Sequence, residues 1–356
     1  MRGRRPARRA GWVAAVFTAV TGLGVTGCSH GLPSPVRSPT GSPQGASSSP
    51  SATPSASTRA HASQPPAPLT GSPAASSAAA ARPAVALVLA GPGPWGLKSA
   101  DVVFEEFASP VRYVAVYQSR QARSAGPITS TEPSDVQALT VLHPLIGYNG
   151  AKAPFFIGAL DKSKVTDAGY AGHSSLYATT PQGLAASTRA ISRSVRGSGA
   201  PPPLFRYRGA DSGADTLAAN GVSRVSSVQV AVPGNGTQDW TFDSHADRWK
   251  LTSGGPNAEA ANLVIQTVPF KDIGINRNYG VTVQSAQVIG TGRVEVFSGS
   301  ASGKDGGTAA TGSWSKPHLG AVTNYFDDKG FPMAFEAGPT WIILAPSGTH
   351  VSTSGR

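Results

Sequence analysis

The stretch "SADVVFEEFAS" gathers three carboxylates, Asp101, Glu105 and Glu106. In an extended strand alternate side chains share a face, so Asp101 and Glu105 point one way and Glu106 the other. Two carboxylates on one face can divide the work of acid and base when their surroundings raise one of the two pKa values. Arg112, Tyr113, Asn149 and His173 follow downstream as groups that would complete a polar pocket with Glu105 and Glu106. The same acids also read as strand-edge charges, or as partners for Arg112.

Other constellations point to chemistry less well. Asp243, His245 and Asp247 in "DSHAD" alternate as hard-metal or zinc ligands would. The flanks "WTF" and "RWKL" instead make this the turn of a hairpin, where Asp and Ser serve as turn residues. His173 adjoins Ser174 and Ser175, but neighbours in sequence do not form a nucleophile–base pair, and no G-x-S-x-G elbow occurs. His143 and His318 stand beside prolines at element ends and read as structural. Gly91, Gly93 and Gly96 match the spacing of a dinucleotide loop. Pro92 and Pro94 remove the N–H groups such a loop aims at phosphate, and the next strand follows too soon for a crossover helix. Neither a cofactor nor a metal is therefore expected. Trp240, Trp249, Trp314, Tyr325 and Trp341 could line a glycan-stacking face, but rings that bury so much area are better explained as core.

These residues need elements to hold them. "RPAVALVLA" reads as a buried strand, and "VRYVAVYQS" alternates Tyr113, Ala115 and Tyr117 against Val114 and Val116. "PSDVQALTVLHPLI" reads as a short helix with Ser134 and Asp135 as cap candidates, ending before Pro144. "TPQGLAASTRAISRSVRG" reads as a helix starting at Thr180 and Pro181 and ending at Gly197. Its Arg189, Arg193 and Arg196 then share one face, either solvated or facing an anion. Past residue 210 nearly every segment reads as strand, separated by Gly, Asn, Asp and Pro turns. The expected class is α+β. An α/β-like module spans residues 82–210 and a β-rich module spans 222–348.

The N-terminus has a different texture. Arg2, Arg4, Arg5, Arg8 and Arg9 precede the apolar run "GWVAAVFTAVTGLGV", which has the form of an export signal over residues 1–27 and is too short to span a bilayer. Cys28, the only cysteine, follows Val25, Thr26 and Gly27. That context is similar to a bacterial lipobox, which implies cleavage before Cys28 and lipid on its sulfur. The alternative is a secreted protein with an incidental thiol, and the paired arginines leave the Sec and twin-arginine routes both open. Residues 28–81 are rich in Ser, Pro and Ala, hold no acid, and read as a disordered tether or a plain spacer. The formal charge of +11 is inflated by seven arginines before residue 82. The remainder carries 23 bases and 19 acids, an excess too small to argue for nucleic acid.

The order of the pieces resembles the YerB-like lipoprotein family, whose two modules have no known function. The matching pieces are "PLTG", "GLKSADVVFEEF", "RYVAVYQS", "GPITS", "YNGA" and "HSSLYATT", then "DWTFD", "NLVIQTV", "GSWSK", "NYFDDKGFPM" and "GPTWIIL". The tether is similar to those of high-GC Gram-positive members. Where many relatives carry arginines after "GP", this chain has Thr129 and Glu132. The resemblance implies an extracytoplasmic protein held at the membrane through Cys28. A non-enzymatic partner of cell-wall polymer or of an envelope protein is expected first. A wall-glycan hydrolase or transferase acting through Asp101 and Glu105 is the alternative.

Overall fold

The computed structural model describes residues 64–355 apart from 92, 108–109, 152–158, 161, 209–216, 218–221, 277–280 and 300–305. Cys28, the expected export signal and most of the expected tether lie outside the described residues.

Among the described residues twenty strands alternate with a few short helices. The first part of the chain supplies β1 (Val85–Ala90), β2 (Val102–Glu106), β3 (Arg112–Tyr117), β4 (Leu145–Gly147) and β5 (Thr166–Asp167), then a hairpin of β6 (Tyr177–Thr180) and β7 (Gly183–Ala186). The second supplies β8 (Ser223–Val225), β9 (Ser227–Val232), β10 (Gly236–Asp243), β11 (Arg248–Ser253), β12 (Glu259–Ala260), β13 (Asn262–Thr267) and β14 (Phe270–Asn276). It continues through β15 (Val281–Ala286), β16 (Gly290–Ser298), β17 (Gly307–Lys316), β18 (Asn324–Asp327), β19 (Thr340–Ala345) and β20 (His350–Ser354).

The two textures of the sequence meet in one sheet. Its order is β18-β17-β16-β13-β19-β2-β3-β1-β4-β5, with β8 also paired to β17. The seam is the parallel pairing of β19 with β2, which sets Thr340 beside Val102 and Ile343 beside Glu105. A second sheet, β12-β11-β10-β9-β20, belongs wholly to the later part. Its last strand lies beyond residue 348, so the β-rich part reaches further than the sequence boundary placed it.

Burial patterns explain the strand sequences. β1 (VALVLA) and β19 (TWIILA) are buried at every position, because the large sheet is covered on both faces. β9 and β10 alternate between buried and accessible, as a sheet covered on one face must. On one side of the large sheet Val103, Tyr113, Trp341 and Ile343 join Trp240 and Trp249 of the second sheet in a core. On the other side Val102, Val114, Ile342 and Leu344 pack with Val136, Leu139, Leu204 and Phe205.

Three expectations need correction. Residues 64–81, assigned by composition to the tether, are folded: Leu69 is fully buried and Ser77–Ala80 is helical, capped by Ser76. The expected helix from Thr180 is a β-hairpin as far as Ala186. Gly183 turns it at φ 127°, and Ser187 caps a shorter helix, Thr188–Ser194. Arg196 therefore lies past the helix end. The helix Pro133–Leu139 begins at Glu132, not Ser134, and Asp135 closes its capping box.

Residues 68–71 dock the start of the fold onto its second half. Gly338 N–H donates to the Thr70 carbonyl, and Gly71, at φ 65°, leaves no room for a side chain against the Tyr207 ring. A Cβ there would lie 2.4 Å from Tyr207 Cγ. Gly71→Ala is expected to destabilise by about 2 kcal/mol through this overlap and the positive φ. A lowered urea midpoint with native far-UV dichroism is the reading to look for.

Candidate functional site

Glu105 and Glu106 sit side by side on β2 and face opposite cores, as strand alternation requires. Antiparallel pairing with β3 sets Tyr113 opposite Glu105 and Arg112 opposite Glu106.

Glu105 is fully buried between the two sheets. Gln238 Nε2 donates to its Oε1 at 2.6 Å and Trp341 Nε1 to its Oε2 at 2.7 Å. The Tyr113 hydroxyl donates to it as well. Gln238 is fixed in turn, because its Oε1 accepts Trp240 Nε1 at 3.2 Å. The carboxyl thus ties β2 and β3 to β10 and β19. Burial pushes its pKa up to about 7, against the lowering effect of the Trp341, Gln238 and Tyr113 hydrogen bonds.

Glu106 enters a second buried cluster built around Arg112. Arg112 Nη1 reaches Glu106 Oε2 at 2.7 Å and Glu132 Oε2 at 3.3 Å, and Nη2 reaches Asp135 Oδ2 at 2.5 Å. Ser134 Oγ and Ala286 N–H donate to Glu106, while Thr131 Oγ1 and Glu132 N–H donate to Asp135. Arg112 and its three carboxylates are each at most 2% exposed. Burial raises the Glu106 pKa, and Arg112 only partly offsets it. Burial also works against the Arg112 charge, but Asp135, Glu106 and Glu132 outweigh it and hold the guanidinium above its ordinary value.

Asp101 is also fully buried but belongs to neither cluster. Its carboxylate takes Gln118 N–H and Ser119 N–H at 2.6 Å each and Ser119 Oγ at 2.5 Å, closing the end of β3. Burial raises its pKa, and the Ser119 and Gln118 hydrogen bonds and Arg120 oppose the shift. Asn149 is exposed beyond β4, its N–H bonded to the Thr129 carbonyl. His173 ends a one-turn helix, Tyr170–His173, at the surface. The structure therefore brings Glu105 to Tyr113 and Glu106 to Arg112. Asp101, Asn149 and His173 stand apart from both pairs.

The remaining candidates fall where turns and cores need them. "DSHAD" links β10 to β11, with Asp243 Oδ1 accepting the His245 and Ala246 N–H groups and Lys250 on Oδ2. No group of three metal-ligating side chains occurs among the described residues. The four tryptophans 240, 249, 314 and 341 are at most 2% exposed, and Tyr325 is buried beside Phe205 and Phe335. They form core, not a stacking face.

Sequence reasoning missed the partners of these acids. Gln238 and Trp341 carried no signal toward Glu105, because packing of the second sheet on the first sets Gln238 there and pairing of β19 with β2 sets Trp341. Asp135 was visible only as a cap, and Glu132 only as a departure from the family pattern. Lys316 was missed altogether. It is buried at the end of β17, donates to the Ala321 carbonyl, and lines a cavity of about 20 Å³ with Gln266 and Tyr325. Burial pulls its pKa down to about 8.

Comparison with known proteins follows the same two-part layout. Residues 69–197 match the N-terminal domain, and residues 228–342 the C-terminal domain, of a family described as "Protein of unknown function (DUF3048)". The crystal structure of YerB protein from Bacillus subtilis aligns with a TM-score of 0.62 at 19% identity. The alignment covers 81% of this chain and 99% of that one, a likeness of fold. No curated protein matches the chain.

Proposed function

The chain belongs to the DUF3048 family, and on that premise we propose a lipid-anchored envelope protein that acts as a non-enzymatic binding or interaction module at the outer face of the membrane. One observation carries the non-enzymatic reading. The acids best suited to chemistry, Asp101, Glu105 and Glu106, are at most 2% exposed and saturated with donors from the protein itself. A general acid must come within hydrogen-bond reach of a substrate. These carboxylates spend their hydrogen bonds holding strands together. The anchor rests on the sequence around Cys28, whose acylation would keep the chain at the bilayer. Its partners are then cell-wall polymer or another envelope protein, and not nucleic acid.

A second reading, hydrolysis or transfer on wall glycan through Asp101 and Glu105, draws on a different observation. A Glu105 pKa near 7 suits an acid catalyst at neutral pH. The two readings separate on isolated cell wall. Binding without release of soluble fragments, unchanged in Glu105→Gln, is the expected outcome. Release that disappears in Glu105→Gln would establish the enzyme instead. Metabolic labelling with a fatty-acid probe tests the anchor, and an unlabelled Cys28 would remove it.

A further inference from the structure

Among the described residues of the first half most acids are turned inward, and every arginine except Arg112 is at least partly exposed. Among the described residues from 82 to 200, Asp101, Glu105, Glu106, Glu132 and Asp135 are buried, and Asp167 is the exposed acid. Arg120, Arg123, Arg189, Arg193 and Arg196 are exposed and Arg82 is half-buried. Three adjoining segments carry these six. Ala122 N–H bonds Thr188 Oγ1 at 2.9 Å, and Gln121 Nε2 bonds Ser192 Oγ at 3.2 Å, which fixes the 119–123 loop against the helix Thr188–Ser194. Arg82 Nη2 donates to the Ser119 carbonyl at 2.6 Å, and Gly197 lies against Pro83. Fully buried Thr188 and Ile191 set the inner side of the helix, so Arg189 and Arg193, one turn apart, share the outer side. Among the described residues Arg123, Arg189, Arg193 and Arg196 form no ion pair. Of the nearby carboxylates, Asp101 lies beneath with its oxygens committed to Gln118 and Ser119.

We infer that this arginine surface docks the folded part onto an anionic lipid bilayer. The inference rests on the membrane location proposed above and adds the face that meets the membrane. Arginines carried on three adjoining segments, with five of the six described acids of this half buried, match a surface of phosphate headgroups in sign. A chain tethered near that surface would meet it at high effective concentration.

The test uses the full chain carrying Cys28→Ser, so that acylation does not enter. Partition is measured on vesicles of phosphatidylcholine alone and with phosphatidylglycerol added. The readout is the anionic-to-neutral ratio, compared between variants, so that the contribution of residues 1–27 is common to both. Arg189→Glu with Arg193→Glu is expected to lower the ratio by at least about 30-fold, as two lost surface contacts imply. The preference should also fade as salt is raised. Lys271→Glu with Arg293→Glu makes the same change in net charge elsewhere and should leave the ratio near its starting value. An unchanged ratio in the helix variant, or an equal loss in the control, overturns the inference. So does retention on wall polymer without preference for anionic vesicles. Failure of fatty-acid labelling with the vesicle preference intact would strike the anchor and spare the arginine surface.

Discussion

Arg112→Met is expected to destabilise the protein by about 3–5 kcal/mol at pH 7.5, the range found when one partner of a buried ion pair is removed. The guanidinium is fully buried and is the cation that Glu106, Glu132 and Asp135 all contact. Without it three acids in a low-dielectric interior lose the cation they share. Burial already favours the protonated form of Glu106, so the deficit should shrink at pH 5. Arg112→Lys should fall between the two, because one ammonium cannot reproduce the planar fork that meets Glu106 and Asp135 together. Urea unfolding at both pH values measures this, and a deficit below about 1 kcal/mol at pH 7.5 would mean that the cluster contributes little.

The parent protein should be more stable at pH 5 than at pH 7.5. The folded pKa of Glu105, about 7, lies above its ordinary 4.5. Between these values the folded state keeps a proton that the unfolded chain has released, so stability falls as pH rises through the window. A shift of this size corresponds to about 3 kcal/mol over the whole interval. Glu106 and Asp101 shift in the same direction. The exposed acids Asp239 and Asp243 are shifted downward and act below the window. Lys316, lowered from 10.5 to about 8, acts above it. Glu105→Gln removes one titration and also leaves an amide N–H facing a donor, which costs about 1–3 kcal/mol at every pH. Its midpoint should therefore lie lower while its slope between pH 5 and 7.5 flattens. Parallel slopes for the two proteins would show that Glu105 does not titrate in that range.

Local pattern made part of this legible. The alternation of β3, the unbroken apolar run of β1 and the "DSHAD" turn follow from side-chain geometry over a few residues, and the structure has each of them. The opposite facing of Glu105 and Glu106 is equally local. What could not be read is which strands become neighbours. Gln238 and Trp341 reach Glu105 only because β10 lies across the large sheet and β19 pairs with β2. The misread helix at Thr180 has a local cause. Pro181 suits a first helical turn and an outer hairpin turn alike, and pairing of Tyr177–Thr180 with Gly183–Ala186 decides between them. The tether boundary failed for another reason: bulk composition outweighed one buried leucine, Leu69, and the short segment around it.

The position of β19 sets an order of events during synthesis. β2 emerges early, yet one of its two edges stays unsatisfied until residues 340–344 arrive to fill the gap beside β13. Neither half can close its sheet alone, and each would present open backbone to any neighbouring chain. Assembly of the large sheet must wait for residues 340–344, so folding should be slow. A chain that stays open that long remains threadable through a narrow pore.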